Sequence, residues 1–274
     1  MIWFLPWEND ESARHHPWAT WTLIVVNVLV YLGMPSGAAL DAWLGEWGLI
    51  AADPRPAQFL TSAFIHGGWV HLIGNLFFLW MFGDNVEDAL GIVGFLAVYF
   101  LGGLAGDLLY VSANAHSIPS IGASGCIAAI AGAYAVMFFD RRVSLKVMIV
   151  VFPVYTLEMG AFWLLLLWFG VDVWLTAAGG GAIGGEGGVN YVAHGAGFAF
   201  GFAVGVLARL QGTMRRYALL SKSDPWWGYW PVRLESEHRE EAARQQRMRQ
   251  SLDAHARAHG DAHRPSPVRD PWGR

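Results

Sequence analysis

The sequence predicts an all-α polytopic membrane protein of six transmembrane helices, with both termini on the inner side. Three observations carry that reading. Hydrophobic residues make up 54% of the 274 and charged residues only 15%, with a mean hydropathy of +0.34. A water-soluble domain of this size carries about 25% charged residues. The apolar residues gather into six segments, about 18–33, 69–82, 92–111, 121–139, 154–178 and 190–210. The Lys and Arg residues fall almost wholly on one side of the membrane that these segments define.

Taken in order, most segments approach the roughly 20 residues a helix needs to cross a hydrocarbon core. The first begins at Trp18, after a polar N-terminal segment (1–17) holding Glu8, Asp10, Glu11 and Arg14. That segment lacks the positive start and apolar run of a cleavable signal, so the first helix is expected to stay in the membrane. The second segment is short and needs either a longer start or a thinned bilayer. Pro153 is expected to mark the start of the fifth, after an interfacial stretch at 147–152. If the N-terminus is inside, the outer loops are 34–68, 112–120 and 179–189, and only Arg55 of the 18 Lys and Arg residues lies in them. Arg141, Arg142 and Lys146 lie between the fourth and fifth segments, and Arg209, Arg215 and Arg216 follow the sixth. The short-loop charge bias therefore gives an N-in, C-in orientation.

Beyond the membrane domain (18–210), residues 211–274 form a polar cytoplasmic tail. Its 236–249 stretch reads as a solvated helix of mixed charge, and 259–274, rich in Pro, Gly, His and Arg, as disordered. The Trp-rich stretch 224–230 suits a membrane interface. The tail either solubilises the chain or docks a partner. Its basic residues are scattered and the net charge is −4, so no nucleic-acid surface emerges. One cysteine, Cys126, excludes an intrachain disulfide framework. The Gly-rich loop 179–188 lacks the Gly-Lys-Ser/Thr ending of a phosphate loop. A transporter would require internal repeats, and none is convincing.

The topology puts four polar residues at one level. Ser124 is about four residues into the fourth segment, His194 about four into the sixth, and His71 and Asn75 are in the first turns of the second. At 1.5 Å per residue they fall within roughly 10 Å of one another in depth. Polar side chains in a bilayer lack water as a hydrogen-bond partner and are functional by default. A Ser/His pair points to nucleophilic catalysis. Ser124 shares a helix face with Ala128, Ala131, Gly132 and Ala135, and His194 with Gly197, Gly201 and Gly205. Small residues at that spacing let membrane helices approach closely, as a hydroxyl must to reach an imidazole at about 3 Å. His71 and Asn75, four apart, share a face and suit an oxyanion hole; a plain helix–helix hydrogen bond is the other reading. A zinc site of His66, His71 and His194 lacks both the His-Glu-x-x-His spacing and a carboxylate. Asp107, Asp172 and Glu158 are not placed to complete a triad, which leaves a Ser/His dyad.

Four stretches in register now carry a resemblance. They are His66-Gly-Gly-Trp-Val-His71-Leu-Ile-Gly-Asn75, Phe82-Gly83-Asp84-Asn85-Val86-Glu87, Gly122-Ala123-Ser124-Gly125 and Ala193-His194-Gly-Ala-Gly197-Phe-Ala-Phe-Gly201. In their order and their segments the chain resembles the rhomboid family of intramembrane serine proteases over about 18–210, and its six-helix bundle is rhomboid-like.

The resemblance implies Ser124 as nucleophile and His194 as general base, then as acid to the leaving amine. It implies an oxyanion hole of His71, Asn75 and the Ser124 backbone N–H, with Gly122, Gly125, Gly197 and Gly201 as packing support. Implied substrates are single-pass transmembrane proteins cleaved near the outer face. The fifth segment and the loop before the sixth would gate lateral entry from the lipid bilayer, and loop 34–68 would lie partly in the membrane. No cofactor or metal is implied, and no oligomeric state follows. Composition favours a bacterial plasma membrane. Two positions depart from patterns found in some members. Ala57-Gln58 stand where those members carry Trp-Arg, and Ala128 stands where they carry a tyrosine stacked on the catalytic histidine. Orientation of His194 is then left to Phe198 or Tyr191. The alternative is a noncatalytic rhomboid-like protein that binds membrane clients; such proteins typically lack the serine or the histidine, and both are present here.

Overall fold

The computed structural model describes residues 2–8, 16–113, 118–149, 152–177, 190–214, 217, 243–244, 246–248 and 250–251. Its first helix, α1 (Trp18–Gly33), has the predicted bounds. The first turn of a helix leaves backbone N–H groups without partners inside the helix, and Pro17 at the N-cap position offers no side-chain acceptor. A residue far along the chain supplies it. The buried Glu87 carboxylate accepts from the Ala19 N–H (2.9 Å), the Thr20 N–H (2.8 Å) and the Thr20 hydroxyl (2.8 Å). A negative group at the positive end of a helix is favourable electrostatically as well. Gly83 keeps this contact close, since a Cβ there would sit 3.0 Å from the Thr20 side chain.

The loop that follows is structured, with α2 (Ala38–Trp47), α3 (Gln58–Thr61) and a 3-10 turn at Ser62–Phe64. Gln58 is buried and holds the loop together through both ends of its amide. Its Oε1 accepts from the Arg55 and Ile50 N–H groups, and its Nε2 donates to the Gly45 and Glu46 carbonyls.

The second and third predicted segments form one helical stretch, α4 (Trp69–Ala113), broken only at Gly91 with φ 71° and ψ 168°. That positive φ is open to glycine at little steric cost, so the chain changes direction at a single residue without a loop. Both arms reach the same neighbour, α5 (Ser124–Met137). Phe82 of the first arm packs against Tyr134 with ring centroids 4.8 Å apart, and Gly102 and Gly103 of the second press on Ala129 and Cys126. The first arm therefore runs on to Leu90, and the short second segment gains its length at its end.

Helix α5 is the centre of the bundle, buried from Cys126 through Met137. Against it lies α7 (Tyr191–Leu210). A Cβ on Gly201 would overlap the Ala129 carbonyl oxygen, one on Gly197 that of Gly125, and one on Gly132 that of Phe198. Gly205 comes within 2.9 Å of the Ala133 oxygen by the same measure. The two backbones touch along the stripe of small residues, the close approach expected of such spacing in a membrane helix pair.

The fold is not all-α. Strands β1 (Ile2–Glu8), β2 (Arg142–Ile149) and β3 (Phe152–Gly160) form an antiparallel sheet in the order β1-β2-β3. The N-terminal segment thus contributes a strand. The interfacial stretch at 147–152 and the first residues of the fifth segment, through Gly160, lie in the β2–β3 region, and α6 starts only at Ala161 (Ala161–Ala177). The physical reason is periodicity. Ser144 and Lys146 alternate with Val143 and Leu145, and Thr156 and Glu158 with Tyr155, Leu157 and Met159, a period of two that suits a half-buried strand. Pro153 sits inside β3 and opens no helix.

By length and composition α4 and α7 can cross a membrane, and the shorter apolar helices Trp18–Gly33, Ser124–Met137 and Ala161–Val171 accompany them. A separate compact unit begins at Tyr229; its described residues at 243–251 are helical, within and just past the expected tail helix. The Gly-rich loop 179–188, the stretches 224–230 and 259–274, and the Asp172 side chain lie outside the described residues.

Two stability predictions follow from these contacts. Glu87→Gln replaces an acceptor-only carboxylate facing three donors and should destabilise by about 1–3 kcal/mol, read as a lower thermal midpoint in detergent. Gly201→Leu should force α5 and α7 apart, read as loss of the monodisperse folded peak.

Candidate active site

The segment that delivers Ser124 is held from three sides. Ser120 and Leu49 exchange backbone hydrogen bonds of 3.0 and 2.8 Å, and the Gly122 N–H donates to the Ser62 carbonyl at 2.9 Å. The Ser120 hydroxyl accepts from the Asn190 amide at 2.9 Å. Asn190 in turn caps α7, its Oδ1 accepting from the Ala193 N–H at 3.0 Å. One asparagine thus ties the start of α7 to the segment leading into α5.

Gly122, at φ +120°, makes the turn into α5, and Ser124 is the first residue of that helix rather than the fourth. The first rung of its ladder is the Ile127 N–H to the Ala123 carbonyl, 2.9 Å. The N–H groups of Ser124, Gly125 and Cys126 precede that rung and emerge at the helix N-terminus, where negative charge is stabilised.

His71, in the first turn of α4, lies over Gly122. A Cβ on that glycine would be 2.8 Å from both Cε1 and Nε2 of the imidazole and 3.8 Å from the Ser124 Oγ. The ring and the hydroxyl therefore border the same small space. The His71 Nδ1 accepts from the Gly67 N–H at 3.4 Å, which assigns the proton of the neutral ring to Nε2, the nitrogen that faces Gly122. Asn75, one turn later, donates one amide N–H to the His71 carbonyl at 3.0 Å, leaving one N–H of that amide for another acceptor.

Behind His71 lies His66, fully buried, with the two rings edge to face at 5.1 Å. Burial pushes its pKa down to about 4, with His71 adding to the shift and a contact with the Phe64 backbone opposing it. That contact falls short of hydrogen-bond geometry. His66 is therefore neutral at ordinary pH and puts no cation behind His71.

His194 lies one turn into α7. The residue before it, Ala193, is where three helices meet: Cβ atoms on Gly106 and Gly125 would lie 2.6 and 3.7 Å from its carbonyl oxygen. The Tyr191 ring stands edge-on to the His194 imidazole, centroids 6.3 Å apart at 89°. Phe198 instead stacks on Phe169 of α6 at 4.3 Å. Of the two aromatic supports considered, Tyr191 is the one at the imidazole. His194 and His71 are near enough to sense each other electrostatically.

Among the acids, Glu158 is exposed on β3 and pairs with Arg142 at 3.8 Å, outside any helix. Asp107 lies on the second arm of α4, with Tyr110 and Cys126 in its field. Among the described residues no three His, Cys, Asp or Glu side chains gather as a metal-binding group. Sequence reasoning missed Ser120, Asn190 and the role of Gln58. An asparagine just ahead of a predicted helix is an N-cap signal that could have found Asn190; Ser120 depends on a contact 70 positions away, and Gln58 on contacts within its own loop.

Gly122→Ala should strain the backbone and displace the His71 ring. Strain of about 1–3 kcal/mol, where it falls on the barrier, corresponds to Ser124 reacting with a fluorophosphonate roughly 5- to 150-fold slower. Labelling rates on folded protein measure this.

A family model described as the Rhomboid domain matches residues 54–211, a span that contains His66, His71, Asn75, Ser124 and His194. The chain is 37% identical over 101 residues to Rhomboid-like protein 11, chloroplastic, of Arabidopsis thaliana, covering 35% of each chain. It is 29% identical over 141 residues to Rhomboid protein 1, mitochondrial, of Saccharomyces cerevisiae, covering 49% of this chain and 39% of the relative. With the human Presenilin-associated rhomboid-like protein, mitochondrial, identity is 30% over 107 residues, 38% of this chain and 27% of the relative. The chain thus spans about a third of the length of the curated relatives it matches. Those relatives are organellar by name and give no support to the expected bacterial plasma membrane. Spanning more than half of the chain and every residue of the candidate site, the match means that this protein belongs to the rhomboid family of membrane proteins.

Proposed function

We propose that the protein is an intramembrane serine endopeptidase working through Ser124 and His194. The observation that carries this reading is the space at Gly122, bordered by the His71 ring and the Ser124 hydroxyl at the N-terminus of α5. The Ser124 Oγ attacks a peptide carbonyl while His194 takes its proton. The oxyanion that forms accepts hydrogen bonds from the Ser124 N–H, from His71 Nε2–H and from the remaining Asn75 N–H. Collapse expels the amine, protonated by His194, and water then hydrolyses the acyl-enzyme with His194 again as base.

The substrates in this reading are single-pass membrane proteins. Their carbonyls are engaged in helical hydrogen bonds within the bilayer, so the cleaved segment must unwind to present one. The six-span, N-in, C-in topology belongs to the same proposal, supported by the one-sided distribution of Lys and Arg.

Ser124→Ala should abolish cleavage of a co-reconstituted single-pass substrate while the protein stays folded; retained cleavage would remove Ser124 as nucleophile and favour a client-binding role. His194→Ala should lose fluorophosphonate labelling of Ser124. His71→Ala should lower kcat by roughly 10²–10³, as for loss of one oxyanion donor, and Asn75→Ala by less, because one of its N–H groups is committed to the His71 carbonyl.

A further inference from the structure

The β2–β3 hairpin has a face that the described fold does not cover. The register pairs Val143 with Met159, Ser144 with Glu158, Leu145 with Leu157, Lys146 with Thr156 and Val147 with Tyr155. Paired residues project from the same face, and faces alternate along each strand. One face therefore carries Val143, Leu145, Tyr155, Leu157 and Met159; the other carries Ser144, Lys146, Thr156 and Glu158. An antiparallel sheet patterned this way packs its apolar face on something. At the root it does, and Val143 is fully buried. Further along the hairpin Leu157 is 44% and Tyr155 63% exposed, and Val154, unpaired at the register shift, is 55% exposed. Among the described residues no element covers them.

We propose that this face lies on lipid, in the headgroup–acyl boundary of the leaflet on the Arg-rich side, with anionic lipid as the preferred contact. Three observations point to lipid. Strand β3 passes directly into α6 at Gly160–Ala161, and α6 exposes Trp163, Leu167, Val171 and Trp174, so the bare sheet face begins where a bare apolar helix begins. Trp163, just past that junction, and Tyr155, further out along β3, are types favoured at a membrane interface. The cations also gather there. Arg141, Arg142 and Lys146 lead into and line β2, and Arg209 donates to the Val136 and Met137 carbonyls at the same end of α5, both at 3.0 Å. Lys and Arg near a surface draw anionic headgroups to it.

The proposal rests on reading α6 as membrane-embedded, and the test separates the two. Single cysteines are placed in full-length Cys126→Ala protein by Tyr155→Cys, Leu157→Cys, Thr156→Cys or Leu167→Cys. Each is labelled with the fluorophore NBD in phosphatidylcholine vesicles containing phosphatidylglycerol. Doxyl-labelled lipid should quench NBD at 155 and 157, blue-shift its emission relative to 156, and protect it from aqueous iodide; NBD at 156 should be quenched by iodide. Omitting phosphatidylglycerol should reduce the lipid quenching at 155, and no change would remove the anionic preference. If 167 is quenched by lipid while 155 and 157 meet iodide, the sheet stands off the bilayer and the proposal falls. If 155 and 157 are shielded from both quenchers, protein covers the face and lipid is again excluded. If 167 also escapes lipid quenching, the membrane placement of α6 fails first.

Discussion

Everything in the core depends on how closely α5 and α7 approach. In a bilayer, burial of apolar side chains gives helices little reason to associate, since lipid tails are equally apolar; packing and backbone proximity must do it. Gly197, Gly201 and Gly205 meet the backbone carbonyls of Gly125, Ala129 and Ala133, one turn after another. With three such contacts the register of the two helices has no freedom to slide, and Ser124 on one and His194 on the other inherit that register. The second arm of α4 closes the arrangement from a third side, Gly106 meeting Ala193 as closely as Gly205 meets its own partner.

The polar groups around Ser124 show how a neutral imidazole is prepared. His66 gives up its charge to burial, and the Gly67 N–H occupies the His71 Nδ1. The second contact selects one form of the ring, with a lone pair on Nδ1 and the proton on Nε2 toward Gly122, and a neutral His66 adds no cation beside it. In the proposed reaction, a donor fixed before any negative charge appears need not reorganise when it does, which is where such a site gains most.

Much of this was legible in the sequence, and the failures have physical causes. α1 and α7 were readable because each is bounded by sharp changes of composition, and the small-residue faces were readable because their spacing is helical. The fifth segment misled because an apolar run hides its own period: 154–160 reads as a continuation of α6 until the alternation of Thr156 and Glu158 with Tyr155 and Leu157 is noticed. Gly91 was missed because a one-residue reversal leaves no polar loop behind it. At the site, the candidate residue types were legible, while the bridge between Ser120 and Asn190 was not, because the two lie 70 positions apart and no local pattern encodes such a contact. Gln58 was missed for another reason: its four partners all lie within 13 residues of it, but an irregular loop has no period from which to read them.

The clasp between Glu87 and α1 also sets an order of events. Ala19 and Thr20 leave the ribosome 68 and 67 residues ahead of the carboxylate that receives their N–H groups. Until the first arm of α4 has followed and turned its Glu87 side chain toward them, those donors must be met by water or lipid headgroups.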